Sequence, residues 1–125
     1  MKLKKACPKA LAEDLLERST CAVQVAAVLV DATGIFSWGW NSAGPKGLGE
    51  HAEVHCVRRA NRVRLRNSTL YVAAKRKRSG KSVLAKPCLT CHDRACACGI
   101  RNVVYRQANG TWKQAEAYPR YYALA

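Results

Sequence analysis

The chain opens with MKLKKACPKALAEDLLERST, which places Leu11, Leu15 and Leu16 along one side of a helix whose remaining faces are charged. Residues 1–20 therefore read as an amphipathic N-terminal helix. From Cys21 the pattern changes. CAVQVAAVLVDATGIFSWGWN carries the β-branched residues Val23, Val25, Val28 and Val30 in an apolar run, then turn residues from Asp31 to Gly34, and so predicts two antiparallel strands joined tightly. The polar, glycine-rich NSAGPKGLGE is a connecting loop. After His51, Val54, Val57 and Ala60, followed by Val63 or Leu65, recur at spacings near 3.6 with arginines opposite, which predicts a second helix. STLYVAA reads as a third strand and residues 75–86, KRKRSGKSVLAK, as a basic loop. Pro87 can open a third helix over CLTCHDRACACG, with Gly99 as its stop. IRNVVYRQANGTWKQAEAY reads as a strand, a turn at Asn109 and Gly110, and a returning strand, with an aromatic and basic tail over 114–125.

The expected order is α-β-β-α-β-α-β-β. It describes an α/β fold with a single mixed sheet of about five strands, helices packed on it, and the last two strands antiparallel. A chain of 125 residues without repeats or internal boundaries makes one domain over 1–125.

Composition narrows the class. At 49% hydrophobic residues the chain is globular, and no apolar run approaches the roughly 18 residues of a membrane span. Glu13, Asp14 and Glu17 interrupt the stretch where a signal peptide would be apolar. The seven cysteines are an odd number, and Cys88 with Cys91 and Cys96 with Cys98 lie too close for a regular disulfide framework. Thiol or metal chemistry in a reducing, cytoplasmic setting is the expectation, with Cys7, Cys21 and Cys56 as small buried apolar groups.

The net charge of +14 is unevenly spread: between Glu53 and Asp93 there is no acidic residue, and eleven Lys or Arg side chains fall there. A surface of one sign attracts polyanions and releases their counterions. Arg58, Arg62, Lys75, Arg76, Lys77, Arg78 and Lys81 are accordingly the candidate nucleic-acid contacts.

The chemistry lies in GEHAEVHC and KPCLTC. Cys88 and Cys91, three apart on the first turn of a helix, share a face and suit zinc; His51, which begins another helix, supplies a third ligand. Three protein ligands leave a position for water, whose pKa a catalytic zinc lowers to about 7. Glu53, two residues past His51, can reach that water as a proton carrier without itself being a ligand.

His-Ala-Glu at 51–53 with Pro-Cys-x-x-Cys at 87–91 resembles the zinc-dependent cytidine and deoxycytidylate deaminases and their nucleic-acid relatives. VAAVLVDATG, GWN, HAEVHCVRRA, STLYVA, AKPCLTC and GIRNVVY resemble that superfamily in order, from about Ala22 to Tyr105. The resemblance implies one zinc per chain on His51, Cys88 and Cys91, Glu53 as proton shuttle, and Asn41 as a sugar contact. It implies hydrolytic deamination at C4 of a cytosine or C6 of an adenine, and the predicted terminal hairpin favours the branch that converts cytosine to uracil. The charge then favours single-stranded DNA or RNA over a free cytosine nucleotide, with adenosine in tRNA third. Backbone near Ala52 would orient the exocyclic amine, and Trp40, beside Asn41, is the best placed aromatic to line the pocket.

Three other readings compete. His51 and His55 are four apart as in H-E-x-x-H metalloproteases, but the glutamate is one position late. CLTCH satisfies the c-type haem motif, yet Met1 is the only methionine and export is not signalled. A structural zinc site closed by His92, Cys96 or Cys98 would make the chain a non-catalytic nucleic-acid-binding module.

Overall fold

The computed structural model describes residues 7–43, 51–86, 95 and 97–115. Helix α1 (Pro8–Leu15) begins with proline at its first turn, where the missing N–H costs no hydrogen bond, and runs into a single 3-10 turn, Leu16–Arg18. Strands β1 (Val23–Asp31) and β2 (Gly34–Trp40) form the expected hairpin. Helices α2 (Ala52–Arg59) and α3 (Arg62–Leu65), then β3 (Thr69–Arg76), β4 (Asn102–Arg106) and β5 (Trp112–Ala115), complete the order.

The five strands lie in the order β2-β1-β3-β4-β5. β1 is antiparallel to both neighbours, β3 and β4 are parallel, and β4 and β5 are antiparallel. The expected mixed sheet is therefore present. Alternation along the strands assigns each face a cover. Ala27 and Leu29 of β1, Leu70, Val72 and Ala74 of β3, and Val103 and Tyr105 of β4 pack with Ala52, Cys56 and Leu65 from α2 and α3. On the opposite face Ala26, Val28 and Ala73 pack with Ala12 and Leu15 from α1 and Leu16 from the 3-10 turn.

Four local expectations are corrected. The second helix is not continuous: it breaks at Ala60, and α3 restarts with the Asn61 side chain accepting the Val63 N–H at 3.0 Å. The break resets the helical phase, so Leu65 is 3% exposed while Val63 is 85% exposed. Residues 75–86 are a hairpin and not an open loop. β3 extends to Arg76, the chain turns at Gly80, and the return pairs Ser82 with Lys75. The final turn is longer than an Asn-Gly pair. Gln107 and Thr111 close it, Gly110 donates to the Gln107 carbonyl at 2.9 Å, and a φ of 88° makes Gly110 the left-handed residue that a three-residue loop requires. Cys56 is fully buried as expected, but Cys7 is exposed and Cys21 only half-buried.

Gly99 does stop a helical turn. The Ile100 N–H reaches the Ala95 carbonyl at 3.1 Å and Gly99 has φ 95°, the bond pattern of a left-handed C-terminal cap. Pro87, Cys88, Cys91, His92 and Cys96, much of the 41–50 loop, and the tail beyond Ala115 lie outside the described residues. Among the described residues no helix is long and apolar enough to cross a membrane.

Candidate active site

The site depends on how α2 is seated. A Cβ at Gly39 would lie 2.6 Å from the Cys56 backbone nitrogen, so only glycine lets the helix press this closely onto β2. Ser37 donates its hydroxyl to the Cys56 carbonyl at 2.7 Å on the same line of contact. His55 fixes the sheet edge: its Nδ1 lies 3.1 Å from the Trp40 N–H nitrogen and 3.0 Å from the Trp40 carbonyl, and the rings meet edge-on at 5.0 Å. His55 is thus a packing residue between α2 and β2. Burial pushes the Cys56 thiol up to about 12, which makes it inert beside the site.

With α2 so placed, His51 stands in extended conformation at φ −71° and ψ 150° immediately before the helix, and its carbonyl accepts the His55 N–H at 2.9 Å. Glu53 follows in the first turn. Both face a cavity of about 260 Å³ at the ends of β1 and β3, walled by Val23, Val25 and Ala74 below and by Asn41 and Ala52 beside them. Leu84, Ala85 and Lys86 supply the remaining wall. Burial raises the Glu53 carboxyl above the ordinary glutamate range, opposed by its own backbone N–H and by the nearby His51. A carboxyl moved in this direction holds a proton more readily than a free glutamate, a property suited to proton transfer.

Asn41 is held rigidly. Its Oδ1 accepts the Ser19 hydroxyl at 2.6 Å and the Val25 N–H at 2.9 Å, and its Nδ2 donates to the Val23 carbonyl at 2.9 Å. Nδ2 keeps a second hydrogen for a ligand. The anchoring role of Ser19 was not legible in the sequence, because it depends on the 3-10 turn that brings Ser19 back to β1.

Of the expected site residues, His51, Ala52, Glu53 and Asn41 converge on the cavity. Trp40 does not: it points to the α1 face, packs with that cluster, and lies 5.7 Å from the Arg18 guanidinium and 5.9 Å from that of Arg59. Cys88 and Cys91 lie outside the described residues, and among those described no group of three or more metal-ligating side chains occurs. The basic residues separate into groups. Arg58 and Arg62 border a second cavity of about 360 Å³ that also reaches Glu53. Lys75 is ion-paired with Glu17, whereas Arg76, Lys77, Arg78 and Lys81 are exposed along the hairpin.

A family model described as the cytidine and deoxycytidylate deaminase zinc-binding region matches residues 2–107. The chain belongs to that family. Zinc-dependent hydrolytic deamination is therefore its chemistry, and zinc its metal. The donor set expected from the sequence, one imidazole and two thiolates, would suit that borderline-soft ion. The fold is similar to a cytidine deaminase from Burkholderia pseudomallei at 20% identity and TM-score 0.69, covering 88% of this chain and 90% of that one. It is also similar to a dCMP deaminase from the cyanophage S-TIM5 at 23% identity and TM-score 0.58, covering 86% of each chain. A cytidine deaminase from Mycobacterium leprae aligns at 16% identity and TM-score 0.57, covering 85% of this deaminase and 88% of its own chain. No curated protein matches the sequence.

Proposed function

We propose that this deaminase converts cytosine to uracil in a phosphate-bearing substrate, with single-stranded nucleic acid the first choice. The observation that carries the reading is the continuity of β3. Ala74 walls the cavity that holds His51 and Glu53, and the same strand runs directly into a hairpin bearing exposed Arg76, Lys77, Arg78 and Lys81. A polyanion drawn to those cations is led toward the cavity.

His51, Cys88 and Cys91 would hold the zinc, which would supply a water acidic enough to ionise near neutral pH. Glu53 accepts a proton from the attacking water and delivers it to the ring nitrogen, then takes a second proton from the hydroxyl formed at C4 and delivers it to the amine, which leaves as ammonia. Its position at the start of α2 keeps the carboxyl fixed while the proton moves. The Ala52 backbone lies beside the exocyclic amine, and the remaining Nδ2 hydrogen of Asn41 is offered to the sugar.

A free cytosine nucleotide or nucleoside is the second reading. It is supported by the similar structures, which are those of cytidine and dCMP deaminases. Uracil formation by zinc-loaded protein from deoxycytidine, dCMP, single-stranded DNA and RNA, at low and high salt, separates the two. Release of counterions makes polynucleotide turnover fall steeply with salt, whereas a single phosphate produces a gentle slope. Turnover of deoxycytidine with no strand activity would reject the nucleic-acid reading and leave the family chemistry intact. Inosine from tRNA alone would move the substrate to adenosine, and one zinc with no product at all would support a structural module.

A further inference from the structure

The hairpin at 75–86 does more than carry charge. Its return segment is sewn onto the sheet where β3 and β4 end: Val83 donates to the Ala74 carbonyl at 3.1 Å, Ala85 to the Arg106 carbonyl at 2.9 Å, and the Ser82 hydroxyl to the Gln107 carbonyl at 2.9 Å. Ala85 is 6% exposed and belongs to the α2-face core, so the segment is anchored at both ends of this short run. The consequence is that Leu84, Ala85 and Lys86 form one wall of the cavity that holds His51 and Glu53.

Lys86 differs from the cations that are tied into ion pairs. Arg64, Lys75 and Arg106 are committed to Asp31, Glu17 and Glu13. Lys86 has no ion-pair or hydrogen-bond partner among the described residues, and it is the only Lys or Arg among them that lines this cavity. Lys86 is an exposed residue of the cavity lining and Glu53 a half-buried one, so the lysine belongs to the solvent side of the cavity. A charged phosphate is costly to bury and a neutral base is not, so a substrate that carries both enters base first with the phosphate left at the rim.

We infer that Lys86 forms a phosphate subsite at the rim of the catalytic cavity, positioned by the hairpin, and selects phosphate-bearing cytosine substrates over the bare nucleoside. A lysine ammonium is a compact charge with three donors, suited to a phosphate monoester or a phosphodiester alike. The inference rests on the deaminase reading above for its substrate and on the geometry of residues 82–86 for its place.

The test compares wild type with Lys86→Ala and Lys86→Arg, all zinc-loaded. Affinities for dCMP and deoxycytidine are taken by calorimetry, and kcat/KM for both and for a short single-stranded oligonucleotide. Lys86→Ala is expected to lower the dCMP-to-deoxycytidine ratio at least ten-fold in affinity and in kcat/KM, mainly through KM. Lys86→Arg should restore most of it. A drop confined to the oligonucleotide, relative to deoxycytidine, identifies the phosphate as a phosphodiester of a strand. A ratio unchanged within two-fold for both phosphate sources overturns the subsite, as does wild type that binds neither source better than deoxycytidine. Intact affinity discrimination without uracil from any substrate would sink the deaminase reading while leaving the subsite standing.

Discussion

Gln24 and Val25 are neighbours on β1 that face opposite sides of the sheet, and their surroundings differ in kind. Gln24 is 1% exposed on the α1 side, where its amide donates to the Ser19 carbonyl at 2.8 Å. Near it Lys75 pairs with Glu17, and Arg106 donates to Glu13 at 2.9 Å and to the Ala74 carbonyl at 3.2 Å. Charge on that side is spent on holding α1 to the sheet. Val25 instead borders the cavity, where the polar groups of His51, Glu53, Asn41 and Lys86 converge on open space. The same strand thus serves stability with one parity of its residues and chemistry with the other. Buried polar groups usually find partners inside the protein; groups aimed into a cavity are those available to a ligand.

The division can be broken most severely at Glu53. Glu53→Gln keeps the shape of the cavity but removes the proton carrier, and uracil formation should fall by roughly 10²–10⁴-fold with the thermal midpoint retained. Leu16→Ala attacks the other face. Leu16 is 1% exposed, and its truncation should cost about 2–5 kcal/mol in urea unfolding, while turnover per folded molecule changes little. A large loss of turnover in folded Leu16→Ala would contradict the separation of the faces.

Gly39→Ala sharpens the comparison because it loads the α2 face mechanically. The added methyl meets helix backbone at 2.6 Å, so α2 must shift, costing about 1–3 kcal/mol. His51 and Glu53 move with it, so turnover should fall together with stability, unlike in Leu16→Ala.

The smallest effect is expected at Asp31, where Arg64 Nε and Nη2 donate at 2.7 Å and hold the carboxyl well below the usual carboxylate range. In the unfolded chain the same carboxyl titrates near pH ~3.9, so the folded state binds fewer protons. The contribution is fully present above that pH and is lost as pH falls through the lower folded value. Asp31→Asn should therefore lower the urea midpoint at pH 7, with the gap to wild type closing in acid and narrowing in salt.

Much of this was legible in the chain. The valines of β1, the turn after Asp31, and the pairing of His-Ala-Glu with Pro-Cys-x-x-Cys pointed to the mixed sheet and the family, because alternation and ligand spacing are local patterns. What was missed depends on tertiary placement. Val63 sits in a helical spacing, but the break at Ala60 rotates it outward. Trp40 adjoins Asn41 in sequence, yet strand parity turns it to the opposite face. The hairpin at 75–86 looked open because its charged composition masks a backbone pairing of Ser82 with Lys75, and with it the route that brings Lys86 to the cavity.

The central claim is that the α2 face holds a zinc deaminase centre in which His51 binds and Glu53 moves protons. The most direct measurement is zinc content per chain together with uracil formation in wild type, His51→Ala and Glu53→Gln. One zinc in wild type and in Glu53→Gln, zinc lost from His51→Ala, and turnover confined to wild type is the expected result. Full zinc in His51→Ala, or undiminished turnover in Glu53→Gln, would contradict it.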